Sequence, residues 1–221
     1  MSIRTLLYLF VAAVGLSSCK NSGDIAPVYK TASLNLVNAD NNALNVYQNG
    51  TRIYNPSPLS PGGTSGYVAV KYGTQQYQLK IASPDKPDYL FTGYTLTLDT
   101  LKNYSLFIAG ETPDKLFLVE DVKPAATTQA AIRFVNTLPG TVNLDVTIGS
   151  LSFTNSAFKS YSAFTFINAG INAIKIYQSG SATPLVSDVL TLTAGTTYTV
   201  FTTGTINGTG TNKLTAKLIL N

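Results

Sequence analysis

The chain repeats itself, and any fold proposed for one half must serve the other. Leu96-Thr97-Leu98, Tyr104-Ser105-Leu106-Phe107 and Gly110 recur at unchanged spacing as Leu190-Thr191-Leu192, Tyr198-Thr199-Val200-Phe201 and Gly204. Upstream, Leu36-Val37-Asn38 matches Phe134-Val135-Asn136, and Leu44-Asn45-Val46 matches Leu144-Asp145-Val146. Tyr67-Val68-Ala69 aligns with Tyr161-Ser162-Ala163, and Leu79-Lys80-Ile81 with Ile174-Lys175-Ile176, small insertions and deletions shifting the offset between them. Self-similarity at a long period means one supersecondary unit built more than once. The boundaries are copy one at 31–122, a Pro/Ala/Thr linker at 123–129 and copy two at 130–221.

The local signal in each copy is strand. Lys213–Leu220 places Leu214, Ala216, Leu218 and Leu220 on one face against Lys213, Thr215, Lys217 and Ile219 on the other, the period of two expected of a half-buried strand. Ile132 and Phe134 oppose Ala131 and Arg133 in the same way. Turn residues break the chain at Asn49-Gly50, Pro61-Gly62-Gly63, Pro84-Asp85, Pro139-Gly140, Ala194-Gly195 and Asn207-Gly208. About seven or eight short strands per copy predict an all-β protein of two tandem immunoglobulin-like β-sandwich domains. Tyr104 and Tyr198, each following an apolar strand and a short turn, fit the tyrosine corner of such sandwiches, in which a backbone group satisfies the buried hydroxyl.

The first residues carry a different message. Arg4 precedes an unbroken apolar or small run from Leu6 to Leu16, too short for a membrane span of about 20 residues and matched to the core of a secretory signal. Leu16-Ser17-Ser18-Cys19 resembles the lipobox of bacterial lipoproteins: small side chains beside the cut, and a thiol as the nucleophile that takes the lipid. Cys19 is the only cysteine, so lipidation would leave no free thiol and no disulfide. The expectation is a signal peptide at 1–18, removed before Cys19, and a lipidated tether at 19–30. Lys20 after the cysteine resembles lipoproteins sorted to the outer membrane, so the predicted location is the cell envelope, lipid-anchored in that membrane.

Composition narrows the chemistry. Charged residues make up 12% of the chain and the net charge is +4, scattered without runs, which is no nucleic-acid footprint. Histidine is absent, and with it the usual general base and metal ligand. Glu111 and Asp114 sit in a Thr-Pro turn, and Asn38–Asn42 reads as an Asx-rich turn in preference to a calcium loop. No catalytic residue, metal site or cofactor is predicted.

Tyrosines are unevenly shared. Tyr54, Tyr72, Tyr77, Tyr89 and Tyr94 have no counterpart in copy two and are the candidate ligand-binding residues, since rings with polar tips suit sugars or protein partners. Tyr67 has a counterpart in the alignment above and reads as structural.

Three features in order resemble the bacterial domain-of-unknown-function family 4397. They are Ala131-Ile132-Arg133-Phe134-Val135-Asn136, Asn45-Val46-Tyr47-Gln48-Asn49-Gly50 and the 190–204 stretch, and the resemblance spans about residues 31–221. Copy one departs from the pattern at Leu101-Lys102-Asn103. The resemblance implies an exported immunoglobulin-like sandwich and no established activity. The expected function is a non-catalytic cell-envelope lipoprotein, an adhesion or scaffold protein or a binding module of unknown ligand, with a protein or a glycan as its partner. The alternative is a glycan-binding surface lipoprotein using copy-one tyrosines.

Overall fold

A computed structural model describes residues 30–54, 56–86 and 88–221. Leu16, Ser17, Ser18 and Cys19 lie outside the described residues. Copy one contains β1 (Thr31–Asn38), β2 (Leu44–Gln48), β3 (Thr51–Arg52), β4 (Thr64–Lys71), β5 (Gly73–Ile81), β6 (Phe91–Leu98), β7 (Asn103–Ile108) and β8 (Leu116–Glu120). Copy two contains β9 (Ala130–Val135), β10 (Leu144–Ile148), β11 (Leu151–Ser156), β12 (Thr165–Ile167), β13 (Gly170–Gln178), β14 (Pro184–Leu192), β15 (Thr197–Thr203) and β16 (Thr215–Leu220).

The two copies share one topology. Copy one forms sheets of order β4-β1-β7-β8 and β3-β2-β5-β6; copy two forms β12-β9-β15-β16 and β11-β10-β13-β14, strand for strand the same. All pairings are antiparallel except β1 with β7 and β9 with β15, which run parallel. Leu34 opposes Tyr104 in one, and Ile132 opposes Tyr198 in the other. Each copy is therefore an all-β sandwich with its own core: Leu34, Leu36, Val46, Leu79 and Leu106 in the first, Ile132, Phe134, Val146, Ile174 and Val200 in the second.

A third core lies between the copies. Val37, Phe107, Phe117 and Val119 of copy one pack against Val135, Phe201 and Ile219 of copy two, with Phe107 and Phe201 edge-to-face at 6.0 Å. The β4-β1-β7-β8 and β12-β9-β15-β16 sheets thus meet through their outer faces, and the molecule stacks four sheets. Equivalent positions of the two copies enter this core (Val37 and Val135, Phe107 and Phe201, Val119 and Ile219), as in an isologous dimer interface carried within one chain. The inner strands are consequently buried on both faces, β9 at every residue and β7 at all but its first.

This corrects the two-faced reading of the sequence. Arg133, expected on a solvated face of β9, is 2% exposed, and Ile219, expected on the polar face of β16, is 5% exposed. Leu220, assigned to the core face, is instead 62% exposed. Period two holds, but docking of the partner sheet buries the second face.

Local motifs repeat at atomic detail. The Tyr104 hydroxyl accepts from the Asp99 N–H at 3.2 Å, and the Tyr198 hydroxyl from the Thr193 N–H at 3.0 Å, so both tyrosine corners close. Asn38 Nδ2 donates to the carbonyls of Asn42 and Leu59 at 2.8 Å each, and Asn136 Nδ2 to that of Ser156 at 2.7 Å. The Asn38–Asn42 segment is an Asx turn: the Asp40 N–H donates to Asn38 Oδ1 at 2.9 Å.

Those bonds also realign the repeats. Ser65 Oγ accepts from the Leu36 N–H and Ser162 Oγ from the Phe134 N–H; Gly62 N–H donates to the Asn38 carbonyl and Lys159 N–H to the Asn136 carbonyl. Gly62 and Lys159 both sit at positive φ, 70° and 69°. Ser65 therefore corresponds to Ser162, Thr64 to Tyr161 and Tyr67 to Phe164. The match of Tyr67 with Tyr161 is corrected: hydrogen-bond register, not residue identity, decides equivalence. In copy two the edge strand is cut to the three residues of β12, and Tyr161 stands in the irregular segment before it, held by a single bridge to Val135.

Candidate functional site

The junction between the copies holds a closed polar cluster. The Arg133 guanidinium donates through Nη2 to Asp121 Oδ1 in a salt bridge whose side chains are 2% and 0% exposed. Arg133 Nε donates to Thr199 Oγ1 at 2.8 Å. The other Asp121 oxygen accepts from the Tyr67 hydroxyl at 2.6 Å and the Ser105 hydroxyl at 2.7 Å. Thr199 donates on to Asn221 Oδ1 at 2.5 Å, and Asn221 Nδ2 donates to the Tyr67 oxygen at 3.3 Å. Burial, then the Asp121 charge, pushes the Tyr67 phenol well above its ordinary range. Tyr67, Ser105 and Asp121 come from copy one; Arg133, Thr199 and Asn221 come from copy two. A buried pair satisfied on both sides clamps the sheets in one register.

The tyrosines singled out from sequence do not form one platform. Tyr77 is corrected: it is 1% exposed, its hydroxyl accepts from Gln48 Nε2 at 2.8 Å, and burial pushes its phenol up to about 12. It faces inward because β5 alternates, placing Tyr77, Leu79 and Ile81 on the core side. Tyr54 and Tyr94 are half-buried against the same core, Tyr94 edge-on to Phe91 at 6.1 Å. Burial raises the Tyr94 phenol. Tyr72 is 47% exposed and Tyr89 37%. Tyr72 precedes β5, whereas Tyr89 lies under the Lys80 ammonium at 4.8 Å, at the far end of the same strand. At about 3.3 Å per residue the stretch from Tyr72 to Lys80 spans roughly 26 Å along the strand.

Tyr89 belongs to a small cluster on the outer face of β2 and β5. It meets Tyr47 edge-to-face at 5.3 Å. Tyr47 opposes Arg52 and Gln78, and Asn45 opposes Lys80, so these side chains share that face. Two Arg52 guanidinium nitrogens and Asn45 Oδ1 are covered there without a hydrogen-bond partner among the described residues.

A second concave region was not visible in the sequence. Tyr161 is 56% exposed and separates two cavities of about 250 and 400 Å³, both of which it lines together with Ser162. The first is walled by Thr154, Asn155, Ser156 and Ser160. The second spans the junction, with Glu120 and Val122 from copy one facing Arg133 and Phe164 from copy two. The Arg133 guanidinium lies over the Phe164 ring at 4.5 Å. Alignment by residue identity hid Tyr161 behind Tyr67; a register-corrected alignment, setting Tyr161 against Thr64, would have exposed it.

Residues 32–147 and 130–221 each match the domain of unknown function DUF4397. The chain belongs to this family. Its two DUF4397 copies are the two sandwiches described above. Among solved structures, a family CBM26 module of Eubacterium rectale Amy13K, determined in complex with maltoheptaose, is similar over 83% of this chain and 95% of its own, at 12% identity and a TM-score of 0.24. A TM-score that low does not establish a common fold. No curated protein matches the DUF4397 chain.

Proposed function

We propose that this chain is a non-catalytic lipoprotein of the cell envelope. Lipid on Cys19 anchors it in the outer membrane, and the two DUF4397 copies are presented as one rigid unit for adhesion, scaffolding or partner binding. The observation that carries the reading is the junction: a shared apolar core plus the buried Asp121–Arg133 pair leaves little freedom between the sandwiches. A spacer or scaffold gains from such stiffness, because a bound partner is then held at a fixed distance from the membrane. The anchor rests on Leu16-Ser17-Ser18-Cys19 after the apolar run. Labelled palmitate is expected to enter the wild-type chain in a bacterial host and not Cys19→Ser; equal labelling of both ends the lipoprotein reading.

A second reading is favoured by the copy-one face that carries Tyr89, Tyr47 and Lys80. An aromatic pair with one exposed and one half-buried ring, beside amide and ammonium donors, suits a surface lipoprotein that binds glycans.

A further inference from the structure

We infer that the open end of the junction, around Tyr161, is a binding site for an uncharged oligosaccharide. This rests on the glycan reading but moves the contact from copy-one tyrosines to copy two.

The two ends of the junction are related positions with different contents. At one end the Tyr67 hydroxyl is tied to Asp121 and Asn221 and Lys123 covers its ring at 4.7 Å, while a cavity of about 400 Å³ on the copy-one side of Tyr67 has no other aromatic ring in its lining. At the other end Phe164 occupies the position of Tyr67 and brings no hydroxyl, and an open cleft remains between it, Val122 and Tyr161. Tyr161 stands where copy one has the half-buried Thr64, so a large exposed ring takes the place of a small side chain. Val122 beside it is 72% exposed.

The lining selects the ligand class. A sugar offers an apolar C–H face for a ring and a fringe of hydroxyls for hydrogen bonds. Tyr161 and Phe164 supply rings, and Ser160, Thr154 and Asn155 supply neutral hydroxyl and amide groups. The charges present are already compensated: Glu120 accepts from Lys102 at 3.0 Å, and Arg133 is paired with Asp121. Nothing there rewards a net ionic charge. The cavities lie on either side of Tyr161 and share it and Ser162 as lining, and the larger, about 400 Å³, falls by itself in the roughly 300–1,000 Å³ range of ligand clefts.

Affinity gel electrophoresis of the purified full chain tests this, with xyloglucan, galactomannan and soluble starch as neutral probes and polygalacturonate as the charged one. At least one neutral polysaccharide is expected to retard the wild type. Tyr161→Ala should weaken that retardation roughly tenfold or more, as truncation of an aromatic anchor does. Tyr72→Ala should leave it in place, and Tyr161→Phe should retain it. Thermal melts of the variants matching wild type separate lost binding from lost folding. Retardation abolished by Tyr89→Ala but not by Tyr161→Ala overturns this site and leaves the glycan reading standing. Retardation by polygalacturonate alone overturns the uncharged ligand. No retardation by any neutral probe overturns both the site and the reading it rests on.

Discussion

At the scale of single residues, Asp121 and Arg133 matter most. Each is buried among groups contributed by both copies, so each can be judged only with its partner present. Removing one partner strands a charge, and Asp121→Ala also takes the acceptor from Tyr67 and Ser105. The expected cost is about 3–5 kcal/mol by urea denaturation. The double variant Asp121→Leu with Arg133→Met removes both charges and should recover part of that loss, because an apolar pair avoids stranding a charge while the Tyr67 and Ser105 hydroxyls still lack their acceptor. A loss well under 1 kcal/mol in Asp121→Ala would mean the pair is solvated and the junction loose. Tyr161 teaches the complementary lesson. Its exposure follows from a register that only the hydrogen bonds of Ser162 and Lys159 reveal.

At the scale of elements, the repeated tyrosine corner ties the strand ends of each sandwich. β6 and β14 end at Leu98 and Leu192, and the corner hydroxyl reaches back over the turn to the next backbone N–H, that of Asp99 or Thr193. Tyr104→Phe and Tyr198→Phe each delete one hydrogen bond without creating a cavity. Each should cost about 0.5–1.5 kcal/mol, and the two losses should add in the double variant because the corners lie in separate sandwiches. Thermal or chemical denaturation of the three variants checks this, and strong non-additivity would show that the corners communicate. β4 and β12 mark where the copies diverge. The first is an eight-residue edge strand and the second has shrunk to three, which frees the segment that carries Tyr161.

At the scale of the whole molecule, the sandwiches are not beads on a string. The 123–129 segment that joins them is mostly exposed, and a protease should find it first. Because Phe107, Val119, Val135 and Phe201 are buried only while the copies stay docked, the nicked chain is expected to elute from gel filtration as one species of unchanged size. Separate elution of two halves under native conditions would show that the third core does not hold them. A single cooperative unfolding transition of the intact chain is the companion expectation, since neither half can open without exposing the shared faces.

Much of this was legible in the amino-acid order. Two copies, strands of period two, the tyrosine corners of Tyr104 and Tyr198, and the Asx turn at Asn38 all follow from local chemistry, and local chemistry is written in neighbouring residues. The burial of Arg133, the exposure of Leu220, the inward turn of Tyr77 and the exposure of Tyr161 were not legible. Each depends on which sheet covers a face or on the register between strands distant in the chain. A strand's alternation states that it has two faces, but not what lies against the second one. The sequence by itself determined that this chain is a sandwich built twice. The tertiary structure decided that the two sandwiches share a core, because only docking turns the outer faces of β7 and β15 from surface into interior.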